Sequence, residues 1–465
     1  MATKKDKIGE LIKRIAGLVK HNQKLNRQIQ VLSSRNRELL KQIEGYEKDN
    51  VKVKKGEGAT KSKMLKFQMA TVLYLDIRGF SNIPKLDDSR KFADELDSLI
   101  FNFDAIARKY KMHKIKTIGD TCLYTGGVPV KNSTNPVEVV LAAYEMMQYF
   151  RERRAESHSP FIWDLSMGIH TGPVTAVLSG NMKKVTELKG DSVNVASRIG
   201  SVSFPGKIGV SANTYEFVKE FFLCDFNGKM PVKYTDELTV YYITAIRPEL
   251  SEGNSGAVPD VNFTTKLRLI HFNDIQELVL DRMEKGLPDN LYYHNVKHTI
   301  DVVTEVELIG LAEGISDREI LLLKTAALFH DAGHIRSYDC HEEVSVELAR
   351  EFLPAYGYSS EELDVVEELI MATKMPPSPV NLLEKIICDA DLDYLGRSDF
   401  IPVSNSLFNE MKEQNKVGSL EEWNKLQIKF ISKHQYYTET ARKLREVNKQ
   451  KQIERLKALT GESPG

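Results

Sequence analysis

TVLYLDIRGFS (71–81) is an apolar, β-branched run that ends on a carboxylate, Asp76, and then turns at Gly79. The composition of TVLYLD predicts a buried strand. The small turn after it predicts backbone N–H groups at Ile77, Gly79 and Phe80 that are free to meet a triphosphate. A second carboxylate, Asp120, sits in KIKTIGDTCLY (114–124), between the β-like runs HKIKTI and TCLYTG. A strand end beside a hairpin turn can present both carboxylates in one cleft. Hard divalent cations such as Mg²⁺ or Mn²⁺ want such oxygen ligands. In ELKGDSVNVASRIG (187–200), Asn194 and Arg198 are four residues apart in a helical pattern and so share one face.

Together these three blocks, with GIHTGPV (168–174), resemble the class III adenylate/guanylate cyclase catalytic domain over residues 66–246. The resemblance implies an α/β domain with a ferredoxin-like palm and an antiparallel sheet. It implies that Asp76 and Asp120 hold two metal ions, Asn194 orients the ribose and Arg198 stabilises transition-state charge. The base-reading positions fall on Lys116, as in adenylate cyclases, and on Glu187, where those enzymes often carry Asp or Thr. ATP is therefore the expected substrate and cAMP the expected product, with cGMP second. Lys233 stands where the family often has a phosphate-binding Lys, but its neighbours differ and it is given no role.

Such sites form between two subunits, and the first fifty residues read as what pairs them. Ile8, Ile15, Asn22, Ile29, Asn36 and Ile43 recur every seven residues, with Leu11, Leu18, Leu25, Leu32, Leu39 and Tyr46 between them. β-branched a positions, Leu at d and Asn at two a positions predict a parallel two-stranded coiled coil. Apolar Ile12, Val19 and Leu40 widen the seam and leave a larger bundle open.

A second constellation lies downstream. LYYHNVKHTIDVV (291–303), LFHDAGHIRSYDCHEEVS (328–345) and IICDADLDYLGR (386–397) supply His298, His330–Asp331 and Asp391 in order. Imidazole with carboxylate suits Zn²⁺, Fe, Mn²⁺ or Mg²⁺. This resembles the HD phosphohydrolase superfamily over about 262–400, and YHNVKH with HDAGH is similar to the cyclic nucleotide phosphodiesterases within it. The match implies His298, His330, Asp331 and Asp391 as ligands of a first metal, with Asp331 bridging to a second. It implies His294 as general acid, His334 orienting a ligand or water, and His341 as a second-metal ligand. Asp389 is the alternative to Asp391. The resemblance does not extend to the purine-clamping Gln of the phosphodiesterases, so a non-hydrolytic regulatory HD domain, or another phosphoester substrate, stays open.

The chain of 465 residues carries a net charge of −1, but residues 1–66 hold 18 Lys/Arg against 7 Asp/Glu. This reads as a solvated coiled-coil exterior and basic linker, not a nucleic-acid surface. Four scattered cysteines, no signal-peptide pattern and no run of 18 apolar residues predict a reduced, cytoplasmic location without a membrane span. The expected order is a coiled coil at 1–50, a linker at 51–66, the cyclase domain at 67–246, a Gly/Pro/Ser-rich linker at 247–261, and an all-α HD domain with a charged helical tail at 262–465.

Overall fold

The computed structural model describes residues 63–78, 89–118, 120–156, 164–179, 184–232 and 235–460. The heptad segment, most of the basic linker, Gly79, Phe80 and Lys233 lie outside these residues.

The first half is a sheet flanked by helices. Its elements are β1 (Lys63–Arg78), α1 (Ser89–Lys109), β2 (His113–Ile118), β3 (Thr121–Gly126), α2 (Asn135–Glu156), β4 (Asp164–Ser179), β5 (Lys184–Lys189), α3 (Asp191–Val202), β6 (Ile208–Ser211), α4 (Ala212–Val218), β7 (Phe222–Val232) and β8 (Thr235–Ile246). The strand order is β2-β3-β1-β4-β6-β8-β7, with β5 paired to β4. β1 is central and buried on both faces. Leu73, Leu75 and Ile77 pack with α1 and α2, while Phe67, Ala70 and Val72 pack with β5 and α3. An apolar run unbroken by polar alternation is what such a strand requires.

The expected antiparallel sheet is in fact mixed, because β4 and β6 run parallel. After β4 the chain passes through the short strand β5 and the helix α3 before β6, and a crossover of that kind returns it in the same direction. α3 lies hard against the sheet. A Cβ on Gly168 would stand 2.1 Å from the backbone nitrogen of Gly200, so only glycine permits the approach.

The second half is helical: α5 (Val261–Gly286), α6 (Val296–Glu313), α7 (Asp317–Phe329), α8 (His341–Phe352), α9 (Ser360–Ala372), α10 (Leu382–Asp391), α11 (Phe400–Glu413), α12 (Leu420–Lys433) and α13 (Glu439–Thr460). Capping boxes at Ser316/Glu319 and Ser359/Glu362 start α7 and α9. The charged tail forms two helices broken at 434–438, where the Asp389 carboxylate accepts from the Tyr437 and Thr438 backbone. Among the described residues no helix is long and apolar enough to cross a membrane.

The segment read as a linker is folded. It forms two 3₁₀ turns, Ser251 between them bridges to Pro259, and α2 holds the segment through Tyr144 Oη to Gly256 O at 3.0 Å and Gln148 Nε2 to Ala257 O at 3.2 Å. α5 then enters both cores. Phe263 belongs to the sheet's core, whereas Phe272, Ile275, Val279 and Met283 belong to the helical one. Asp274 also reaches back, accepting from Ser133 N at 2.8 Å and Ser133 Oγ at 2.6 Å.

Candidate active sites

The β2–β3 hairpin brings Asp120 beside the end of β1. Asp76 is paired with Thr121 across the strands, and Ile77 N–H donates to Asp120 O at 3.1 Å. Two carboxyl-bearing residues therefore meet at one sheet end, the Asp76 side chain being 19% exposed. The Ile77 N–H is engaged by that bond and is not a free donor for a triphosphate. Asn194 and Arg198 are exposed on α3, and neither side chain has a hydrogen-bond partner among the described residues. Lys116 on β2 is likewise exposed, and Glu187 on the neighbouring β5 pairs with Lys189 at 3.2 Å. Polar side chains left open in this way suit a site that a second subunit completes.

Sequence reading missed Arg78. Its Nε donates to Asp76 Oδ2 at 2.9 Å, and its Nη2 donates to Ser201 O at 2.7 Å and Gly200 O at 3.3 Å.

The helical half gathers its histidines around Asp331. Asn295 caps α6, accepting from the backbone N–H groups of Lys297 and His298, and this fixes the turn that aims His298 inward. His330 closes α7, and Asp331 opens a 3₁₀ turn that presents His334. His298 Nε2 lies 3.3 Å from His330 Nε2 and 3.1 Å from Asp391 Oδ1. Asp331 Oδ2 is 3.4 Å from the first imidazole and 3.3 Å from the second. His330 Nδ1 donates to Ala327 O at 2.8 Å, leaving Nε2 as the free lone pair that a metal ligand needs.

On the other side of Asp331, His334 Nε2 and His341 Nε2 lie 4.0 Å and 3.7 Å from Oδ1, with the two rings stacked. Donor atoms of His298, His330 and Asp391 form one convergent group, and those of His294, Asp331 and His334 a second. Asp331 Oδ2 and both ring nitrogens of His334 are buried without a hydrogen-bond partner. Buried polar atoms are seldom left so, and nitrogen–carboxylate sets of this kind fit divalent metal. Asp389, the alternative ligand, points elsewhere, to Tyr437 and Thr438.

Burial alone would lower the pKa of His330, but Asp331 and Asp391 beside it raise it well above its ordinary range, and metal binding at Nε2 would have to displace that proton. Burial would raise Asp331 and Asp391, and the surrounding histidines instead hold both well below the carboxylate norm. Desolvation pushes His334 down to about 3, which keeps it neutral and able to bind metal.

Glu410 is the residue that the motifs did not reveal. It is fully buried on α11, bonds His294 Nδ1 and accepts from the Tyr293 and His294 backbone at 2.8 and 3.1 Å. Burial works against protonated His294, but Asp331 and Glu410 outweigh it and raise its pKa. The one sequence signal was an acid at a helix position in register with Phe400, Val403 and Leu407. A cleft of about 260 Å³ opens beside His298 and Asp391, edged by Tyr292, Asn295, Lys297, Arg397 and Ser406.

Residues 62–245 match the family described as the adenylate and guanylate cyclase catalytic domain, and residues 295–393 match the HD domain. Guanylyl cyclase C of Cavia porcellus is 28% identical over 227 residues, 48% of this chain and 21% of its own length. Guanylate cyclase soluble subunit beta-2 of Homo sapiens is 32% identical over 181 residues, 38% of this chain and 29% of its own. The chain thus spans less than a third of the length of these curated relatives. Among solved structures, the guanylate cyclase domain of RhGC from Catenaria anguillulae in complex with GTP is 28% identical. It covers 39% of this chain and 99% of that one, with a TM-score of 0.34.

Proposed function

We propose that this chain, which joins a class III adenylate/guanylate cyclase catalytic domain to an HD domain, acts as a homodimer that converts ATP to cAMP and pyrophosphate, and that its HD domain hydrolyses a cyclic nucleotide to the 5′-monophosphate. The observation that carries the first half is the meeting of Asp76 and Asp120 at one sheet end while Asn194 and Arg198 stand open on α3. Asp76 and Asp120 of one subunit would hold Mg²⁺ or Mn²⁺, which would supply positive charge to the triphosphate oxygens. Asn194 and Arg198 of the other subunit orient the ribose and stabilise charge as the 3′-oxygen bonds to the α-phosphorus, its proton departs, and the bond to pyrophosphate breaks. Lys116 supports adenine over guanine, although the relatives above are named guanylyl cyclases.

In the HD domain, His298, His330, Asp331 and Asp391 would hold one divalent metal, and His334 and His341, beside the same carboxylate, would serve a second. Such metal supplies Lewis-acid chemistry toward a phosphoester. Water adds its oxygen to the phosphorus as the bond to the ribose 3′-oxygen breaks, and His294, oriented by Glu410, donates the proton to that leaving oxygen. A regulatory HD domain is the second reading. The sharing of α5 between both cores favours it, since a change around Asp331 has a continuous helix through which to reach the sheet.

Mixing two inactive full-length chains, Asp76→Ala and Arg198→Ala, tests the dimeric cyclase. A mixed dimer holds one intact site, so activity returns on mixing. Failure to return, with both chains folded and dimeric, refutes the composite site.

A further inference from the structure

We propose that Arg78 is a positioning residue that couples the two cyclase sites of the dimer, tying the Asp76 carboxylate of one site to the helix that serves the other. This rests on the composite-site reading above. Within one chain, Asp76 works with the partner's α3, while this chain's own α3 carries its Asn194 and Arg198 to the opposite site. Arg78 spans the two. Its Nε holds Asp76 Oδ2 at 2.9 Å, and its Nη2 caps the last-turn carbonyls of α3, Ser201 at 2.7 Å and Gly200 at 3.3 Å. Those carbonyls have no partner within the helix and are natural sites for a guanidinium. Ser201 lies three residues beyond Arg198, within one turn.

The helix has little slack against the sheet. Gly200 abuts Gly168, and a Cβ on Gly200 would stand 2.5 Å from the Tyr74 ring. A cation bound by Asp76 neutralises the carboxylate that anchors Arg78 and competes for the same oxygen. Arg78 then holds Gly200 and Ser201 less firmly, and the end of α3 that orients Arg198 loosens. Filling one site in this way weakens its twin, and the coupling is reciprocal. A lysine cannot reproduce it, because one ammonium lacks the fork that reaches both partners.

The test is the initial rate of full-length protein against Mn²⁺–ATP for wild type, Arg78→Gln and Arg78→Lys. Wild type is expected to give a Hill coefficient below one, the second site binding about fivefold more weakly. Both variants are expected to return to one. A wild-type coefficient of one, or a low value unchanged in both variants, overturns the proposal. Should Arg78→Gln fail to fold, Arg78→Lys decides. Mn²⁺ titration by electron paramagnetic resonance, in chains carrying Asp391→Asn to weaken the HD site, reads the same coupling without turnover. If no cyclic nucleotide forms, the catalytic reading falls, while the titration still decides the coupling: site classes that merge in the Arg78 variants support it, and unchanged classes refute it.

Discussion

Phe263, in the first turn of α5, sets its ring edge-on to Phe221 at a centroid distance of 5.0 Å and to Phe222 at 5.9 Å. The first helix of the helical half is thereby part of the core of the sheet. Phe263→Ala leaves a cavity and costs about 3–5 kcal/mol. A chain cut after residue 246 loses the same ring together with Leu250. Both are expected to lower the unfolding temperature of the cyclase half in calorimetry. Unchanged melting of the shortened chain would show that α5 is dispensable to it.

Gly333 fixes the HD turn. A Cβ there would stand 1.9 Å from His341 O, so Gly333→Ala must push the start of α8 away and carry His341 from Asp331. Metal analysis of the purified variant is expected to show at least one equivalent of divalent metal lost per chain. Full metal content would contradict the proposed role of His341.

Glu410 orients the proposed general acid without joining the metal groups. Glu410→Gln keeps the shape and removes the charge, so metal content is expected to hold while kcat for cyclic nucleotide hydrolysis falls by about 10²-fold or more. KM is expected to change little. Loss of metal in step with activity would make Glu410 structural.

Burial lowers His170 and His434 to a pKa of about 4, below the ordinary 6.5 of the unfolded chain. Between these values the unfolded chain binds protons that the folded one does not, so stability falls as pH drops from 6.5 toward 4. Between pH 7 and pH 5 each histidine contributes about 2 kcal/mol to that loss. Denaturant unfolding at pH 7 and pH 5 measures it, and His434→Gln is expected to flatten it. An equal slope in the variant would assign the acid lability elsewhere.

Much of the arrangement is legible in local sequence because the elements involved are locally determined. HKIKTIGDTCLYTG folds as the hairpin its β-runs suggest, and α3 places Asn194 and Arg198 on one face as their spacing requires. What escaped is long-range. The parallel β4–β6 pair depends on how a crossover closes, and α5 spans two cores behind a segment whose Gly, Pro and Ser suggest slack. Arg78 meets carbonyls 122 and 123 residues away, and Glu410 meets His294 across 116 residues. Neither partner can be inferred from neighbours in the chain. The heptad pattern read as a coiled coil lies outside the described residues.

In the proposed function, one chain makes and destroys the same messenger. The most direct measurement is a time course of purified full-length protein with ATP and Mn²⁺, following cAMP and AMP together beside an Asp331→Ala variant. cAMP is expected to rise in both and then to turn into AMP only in the wild type. Failure to form cAMP from ATP, or equal accumulation of cAMP in both proteins, would contradict it.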